Sequence, residues 1–184
     1  EFNKFIATVE NMDNKETYDT LFLTGLRIGE LCALRWCDLD LEHKKLSVRG
    51  SFSTASRKVT SPKTKTSIRT IDLPNRLVEE LKQRYERKKK LDGFNDLYYV
   101  FGDIAVTWPG TFRYRFNNDL KNVDVKHITI HGFRHSHASY LLSNPMISES
   151  LVAERLGHSI DMLRSTYAHI YEKRRTALVE YIEK

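Results

Sequence analysis

Apolar residues recur at three-to-four spacing through residues 15–36, at Tyr18, Leu21, Phe22, Leu26, Leu31 and Leu34. That is the period of one buried helix face. Gly25 and Gly29 interrupt the pattern, so it predicts two short helices with a tight turn near Thr24-Gly25. Residues 45–50 (KLSVRG) alternate in the manner of a strand, and 58–61 and 69–73 are two more strand candidates, the last two separated by the polar stretch 62–67. Together they predict a small antiparallel sheet with a basic hairpin tip. Pro74-Asn75 opens the next helix, with Asn75 as its cap and Leu77, Leu81 and Tyr85 on one face. A short apolar segment follows at 97–101, and 111–120 is helical with Phe112, Phe116 and Leu120 on one side. Further helices are predicted within 129–142 and at 148–156, 161–169 and 174–183. The fold class is mainly α with one small antiparallel β-sheet (α+β), and no internal repeat is present.

Composition narrows the class. With 184 residues, 40% of them hydrophobic, the chain can build a useful core as a single domain, 1–184, without a metal or disulfide staple. The formal net charge of +6 is of the kind common among nucleic-acid binders, though it is weak evidence alone. The run Arg87-Lys88-Lys89-Lys90 reads first as a solvated face, with DNA contact as the alternative. The two cysteines, Cys32 and Cys37, are too few for a secreted scaffold and read as buried free thiols in a reducing compartment. No apolar run approaches a membrane span and no signal-peptide pattern is present, so we expect a cytosolic protein with no membrane partner. The chain opens on Glu1-Phe2 with no methionine; we expect a domain cut from a longer protein, with Glu1-Phe2 as a cloning remnant.

Four segments hold the candidate chemistry. They are Thr24-Gly25-Leu26-Arg27-Ile28-Gly29-Glu30-Leu31, Pro62-Lys63-Thr64-Lys65, His131-Gly132-Phe133-Arg134-His135, and Leu156-Gly157-His158 with Tyr167 nine residues after the histidine. Attack on a phosphodiester places extra negative charge on the equatorial oxygens of phosphorus. Two guanidiniums can clamp those oxygens bidentately, and Arg27 and Arg134 supply such a pair. A lysine on a hairpin can protonate the departing oxygen, and a histidine can contact phosphate or manage a proton. A tyrosine hydroxyl can form the covalent intermediate if nearby cations lower the barrier. Plainer readings stand beside these: Arg27 as a surface helix arginine, Tyr167 as a core aromatic. His131, His135 and His137 could suggest zinc, but no cysteine pair or glutamate completes a ligand set and the H-E-x-x-H pattern is missing. We therefore expect no metal, with His135 and His137 as helix residues near the site and His135 the one that could approach it.

In these blocks the sequence resembles the tyrosine recombinases, the phage integrase family. Thr24-Gly25-Leu26-Arg27-Ile28-Gly29-Glu30-Leu31 is similar to the family's first arginine motif, Pro62-Lys63-Thr64 to its hairpin lysine, His131-x-x-Arg134 to its second arginine motif, and Leu156-Gly157-His158 with Tyr167 to its closing motif. The blocks follow family order and span nearly the whole chain. The resemblance implies the recombinase catalytic-domain fold and a site-specific recombinase or integrase that cuts and rejoins duplex DNA through a 3′-phosphotyrosine. Tyr167 would be the nucleophile, Arg27 and Arg134 would hold the scissile phosphate, and Lys63 would be the general acid. His131 and His158 would assist, and Glu30 would support the site. Lys65 is the alternative to Lys63, with strand register deciding between them. The resemblance also implies no cofactor, an N-terminal DNA-clamping domain missing from this stretch, and a homotetramer on two DNA sites. As an isolated domain the chain could be a monomer. The segment 174–184, with Leu178, Val179 and Ile182 on its apolar side, would reach a neighbouring subunit. The hairpin and the Thr-Tyr-Ala-His ending resemble the prophage and conjugative-transposon branch, working in a bacterial cytoplasm. A non-catalytic DNA-binding protein of this fold and a type IB topoisomerase are the rival readings.

Overall fold

The computed structural model describes residues 1–61, 68–121 and 123–183, apart from the side chains of Lys173 and Ala177. A short helix α1 (Phe2–Ile6) leads into α2 (Met12–Thr24), where the Asn11 side chain accepts the Asn14 N–H at 3.0 Å, a standard helix start. Phe2 stacks on Phe22 with ring centroids 3.8 Å apart, so the first residues belong to the packing.

α2 ends where the glycine predicted it would. Gly25 adopts φ 69°, and its N–H bonds the Leu21 carbonyl at 3.0 Å. The left-handed cap suits glycine on conformational grounds. Space demands it too: a Cβ there would stand 2.7 Å from His137 Cδ2 and 2.9 Å from Leu156 Cδ2. The chain then turns through Leu26 into α3 (Ile28–Ala33) and a 3₁₀ turn (Trp36–Asp38).

The three predicted strands exist, but not in one sheet, and two short ones, at 39–40 and 51–53, were not foreseen. β1 (Leu39–Asp40), β2 (Lys45–Val48) and β5 (Arg69–Asp72) form an antiparallel sheet in the order β1-β2-β5, with buried Leu46 opposite buried Ile71. β3 (Ser51–Ser53) and β4 (Lys58–Thr60) form a separate ribbon with Phe52 opposite Val59. Strand β4 was expected beside β5; it pairs with β3. The short connection through 54–57, which places Arg57 at φ 54°, closes that ribbon locally, and short closures cost least entropy. The 97–101 segment pairs with the chain that leaves α3: the Trp36 N–H bonds the Tyr98 carbonyl at 3.1 Å, and the Val100 N–H the Leu34 carbonyl at 2.9 Å.

Helices supply the rest. α4 (Asn75–Lys88) is capped by Pro74, not Asn75. The proline ring fixes φ at −69° with ψ extended, so it takes the flanking position and pushes Asn75 into the first helical one. α5 (Pro109–Leu120), α6 (Gly132–Ser143), α7 (Glu149–Leu156), α8 (Ile160–Thr166) and α9 (Ala168–Ile182) follow. The helix expected over 161–169 breaks at Tyr167, whose φ −116° and ψ 30° separate α8 from α9.

Two apolar clusters result. The larger joins α1 to α6 and the sheet through Tyr18, Leu21, Leu31, Leu46, Leu77 and Phe116 among others. The smaller packs α6 against α7, α8 and α9 through Ala138, Leu142, Val152, Leu156, Leu163 and Tyr167. α6 gives Phe133 to the first and Ala138 to the second. Cys32 is buried, but Cys37 is exposed in the 3₁₀ turn, which corrects the expectation of two buried thiols. In the basic run, Arg87 pairs with Glu16, Lys88 with Asp103 at 2.7 Å and Lys89 with Glu86 at 3.0 Å. Those charges are matched within the chain, which favours the solvated-face reading.

Gly25→Ala should destabilise the chain by about 2–4 kcal/mol, combining left-handed strain with overpacking against His137 and Leu156. Urea unfolding of the variant and the parent measures it; a loss within about 0.5 kcal/mol, the range of an ordinary surface change, would contradict the packing described.

Candidate active site

The turn at Gly25 delivers Arg27 to the N-cap of α3 with an extended backbone, φ −71° and ψ 149°. Glu30, one turn on, accepts the Arg27 backbone N–H at 2.9 Å and the Arg27 guanidinium at 2.9 Å. Its carboxylate is buried and also takes both terminal nitrogens of Arg69, at 3.0 and 2.9 Å. Burial pushes the Glu30 carboxyl up, but the Arg69 hydrogen bonds and charge, with the Arg27 N–H, outweigh it and leave the group below the usual carboxylate range. Arg69 itself is buried on β5, and its Nε donates to the Arg155 carbonyl at 2.8 Å.

Arg134 enters from the first turn of α6 and is 2% exposed. One terminal nitrogen donates to the Gly25 carbonyl at 2.6 Å; the other donates to the Leu156 carbonyl at 2.6 Å and meets His158 Nε2 at 2.8 Å. Among the described residues these partners are neutral groups. Burial, then the charge of Arg27, push Arg134 down to about 9, so it remains charged at neutral pH. Gly157, at φ 65°, ends α7 and sets His158 just beyond the cap. Burial and then Arg134, Arg27 and Arg69 push His158 down to about 4, leaving a neutral ring. Guanidinium nitrogens only donate, so His158 Nε2 accepts and Nδ1 carries the proton. That buried Nδ1 has no hydrogen-bond partner among the described residues.

His131 precedes α6, and its ring lies edge-on to His135 at 4.9 Å. Desolvation, then His135, Arg134 and Arg27, hold His131 below the usual imidazole range. Tyr167 sits in the α8–α9 break with its ring in the smaller cluster, and its hydroxyl lies 3.2 Å from His135 Nδ1. Burial pushes the phenol up, and the charge of Arg134 opposes that only in part.

Arg27, Glu30, His131, Arg134 and His158 thus converge from α3, α6 and the end of α7, and Tyr167 borders the same group. Lys63 and its alternative Lys65 lie outside the described residues. Two contributors were not foreseen, and a third was expected only near the site. Arg69 had a readable signal, because β5 alternates with Arg69 and Ile71 both buried, which puts an arginine at a core-facing strand position. Arg155 ties α7 to Leu23, Asp72 and His137, and no pattern in the sequence marks it. His135 was placed only near the site; here it touches the tyrosine hydroxyl.

A model of the phage integrase family matches residues 1–174. The chain belongs to that family. Among curated members, it is 31% identical to the ICEBs1 integrase of Bacillus subtilis (strain 168), over all of this chain and 52% of that protein. It is 30% identical to the integrase of Staphylococcus phage L54a, over 88% of this chain and 49% of that one. The chain spans about half the length of these relatives. Solved structures show the same fold. The XerA recombinase superposes with a TM-score of 0.72 at 22% identity, covering 95% of this chain and 62% of that one. The Tn1549 transposon integrase bound to transposon right end DNA superposes at 0.73 and 22%, covering 99% and 64%. The tyrosine recombinase catalytic fold therefore holds here with a mainly helical build and small antiparallel sheets. Among the described residues no helix is long and apolar enough to cross a membrane, and no group of His, Cys, Asp and Glu could hold a metal.

His137, behind the site, accepts from Arg155 Nε at 3.0 Å. Burial and then the charge of Arg155 push it down to about 3. The unfolded imidazole binds a proton below about pH 6.5, while the folded one refuses it, so stability is full above that value and falls as pH drops toward 3. Replacing it with glutamine, which keeps an acceptor but does not titrate, should remove about 2 kcal/mol of the stability lost between pH 7 and 5. Urea unfolding at both pH values checks this, and equal losses in parent and H137Q would contradict it.

Proposed function

We propose that the chain is the catalytic part of a site-specific DNA recombinase, an integrase of a bacterial mobile element, that cuts and rejoins duplex DNA through a phosphotyrosine at Tyr167. One observation carries this reading: Arg134 is buried and charged, beside Arg27 and Arg69, while Glu30 is the carboxylate bonded to that group among the described residues. Buried charge without a counter-charge is costly, and a phosphodiester brings one. Arg27 and Arg134 hold the nonbridging oxygens, and His131 and the His158 Nδ1–H, which has no partner among the described residues, are further contacts. Glu30 keeps the Arg27 backbone and guanidinium in place.

The Tyr167 oxygen then bonds to phosphorus as the phosphorus–O5′ bond breaks. Lys63 protonates the leaving O5′, with Lys65 the alternative donor. The new ester keeps the energy of the old one, so the 5′-hydroxyl reverses the step without a nucleotide cofactor. Tyr167 is 2% exposed, so DNA must loosen the α8–α9 break to bring its oxygen to the phosphate at Arg134, which stands next to its hydrogen-bond partner His135 on α6. That break already departs from helical geometry, which makes it the place where the chain turns at least cost. Duplex DNA is the partner, in keeping with the DNA-bound state of the Tn1549 integrase structure.

Assembly uses the tail. Ile170 packs in the smaller cluster, while Leu178, Val179, Tyr181 and Ile182 stand exposed along α9. An apolar stripe of this kind seeks a partner surface, and a neighbouring subunit of a tetramer on two DNA sites supplies it. Deleting the residues after Tyr171 should leave cleavage of a single site intact and abolish synapsis and strand exchange; intact exchange would contradict the role.

Covalent capture on nicked duplexes carrying a randomised binding arm tests the chemistry, with EDTA present to exclude metal-dependent cleavage. The parent should give a protease-sensitive adduct, and Tyr167→Phe none at unchanged DNA affinity and unfolding midpoint. No adduct from the parent at saturating DNA would favour a non-catalytic DNA-binding protein. Relaxation of supercoils without two-site recombination would favour a topoisomerase. Lys63→Ala should slow cleavage by about 10²–10⁴-fold, the worth of a positioned acid. A 5′-thio leaving group, which needs no proton, should restore the rate; if it does not, the acid is Lys65.

A further inference from the structure

We infer that His135 is a further catalytic residue, the base that takes the phenolic proton of Tyr167 as the oxygen–phosphorus bond forms. This rests on the reaction proposed above. The geometry is specific. His135 follows Arg134 on α6, its Nδ1 lies 3.2 Å from the Tyr167 hydroxyl, and the two rings sit 5.9 Å apart between centroids. Among the described residues no other side chain hydrogen-bonds that hydroxyl. A neutral phenol donates, so Nδ1 accepts, and the ring proton is on Nε2.

The two other histidines of the site are less well placed. His158 Nε2 is engaged by Arg134 at 2.8 Å. His131 meets the ring of His135, at 4.9 Å, and makes no hydrogen bond to the tyrosine among the described residues. His135 is exposed, whereas Tyr167 is buried. This difference gives the pair a direction. A phenolate formed ahead of the attack would be stranded in an apolar cluster, so the proton must leave as the bond to phosphorus forms. The charge it carries away lands on a ring that water can solvate.

The balance is complete. The Tyr167 O–H bond breaks and an Nδ1–H bond forms on His135; the Tyr167 O–P bond forms and the P–O5′ bond breaks, with O5′ protonated by Lys63. On rejoining, the 5′-hydroxyl returns its proton to the lysine and His135 returns its own to the phenol. Among the described residues the titratable rings facing His135 are His131, just before its helix, and Tyr167 from the α8–α9 break.

Single-turnover cleavage of the nicked duplex pool tests this. His135→Ala should cut about 10²–10⁴-fold more slowly at unchanged DNA affinity and unfolding midpoint, and imidazole in the buffer should restore part of the rate. The parent rate should rise with pH as a base gives up its proton, and His135→Gln should lose that rise. An alanine variant that cleaves at the parent rate would overturn the proposal. So would a slow variant that imidazole does not restore and whose pH profile matches the parent's, because that marks packing alone. Failure of the parent itself to form an adduct would instead overturn the recombinase reading, and this one with it.

Discussion

One buried carboxylate organises the centre of this molecule. Glu30 holds the Arg27 backbone and guanidinium and both terminal nitrogens of Arg69. Arg69 passes the constraint on by donating to the Arg155 carbonyl. The next carbonyl, that of Leu156, receives Arg134, which also reaches back to Gly25. α3, β5, α6 and α7 are thereby locked through groups that would each be costly to leave unpaired. A buried ion pair adds little net stability over an apolar substitute, and breaking one is expensive. Its value here is geometric. Among the described residues Arg134 is left with neutral partners, and in the proposed reaction a phosphodiester supplies the opposite charge.

Packing explains why that place is a seam. α6 shares its residues between two apolar clusters, and Arg134 stands between Phe133 on one side and Ala138 on the other. Arg134 bridges the seam, bonded to the Gly25 carbonyl on one side and to the Leu156 carbonyl of the smaller cluster on the other, and Tyr167 packs in the smaller cluster. In the proposed reaction, a site divided in this way brings Tyr167 in late, through the α8–α9 break that already departs from helical geometry. Burial raises the Tyr167 phenol above its ordinary range, which in the proposed reaction disfavours the phenolate before DNA binds.

The sequence made part of this legible. Period and glycine placement located α2, the Gly25 turn, α5 and α7, because those signals are local. The same local chemistry made Arg27, His131, Arg134, His158 and Tyr167 stand out, and the structure brings the first four together with Tyr167 at their edge. Pairing of strands was not legible: alternation marks a strand but not its partner, so β4 was assigned to the wrong neighbour. The break at Tyr167 was hidden because the helical spacing of Leu163, Tyr167 and Ile170 runs through it with no glycine or proline to mark a stop. Arg69 was missed although its core-facing strand position announced it. His135 needed three dimensions, since nothing in its spacing shows that it meets a tyrosine on another helix.

The central claim is that these cations and this phenol act on one backbone phosphorus. Its most direct measurement is to trap the protein on a nicked duplex, digest the complex and locate the nucleotide-bearing peptide by mass spectrometry. The account predicts the nucleotide on Tyr167, attached through a 3′-phosphate. A nucleotide on any other side chain, or attachment through a 5′-phosphate, would contradict it.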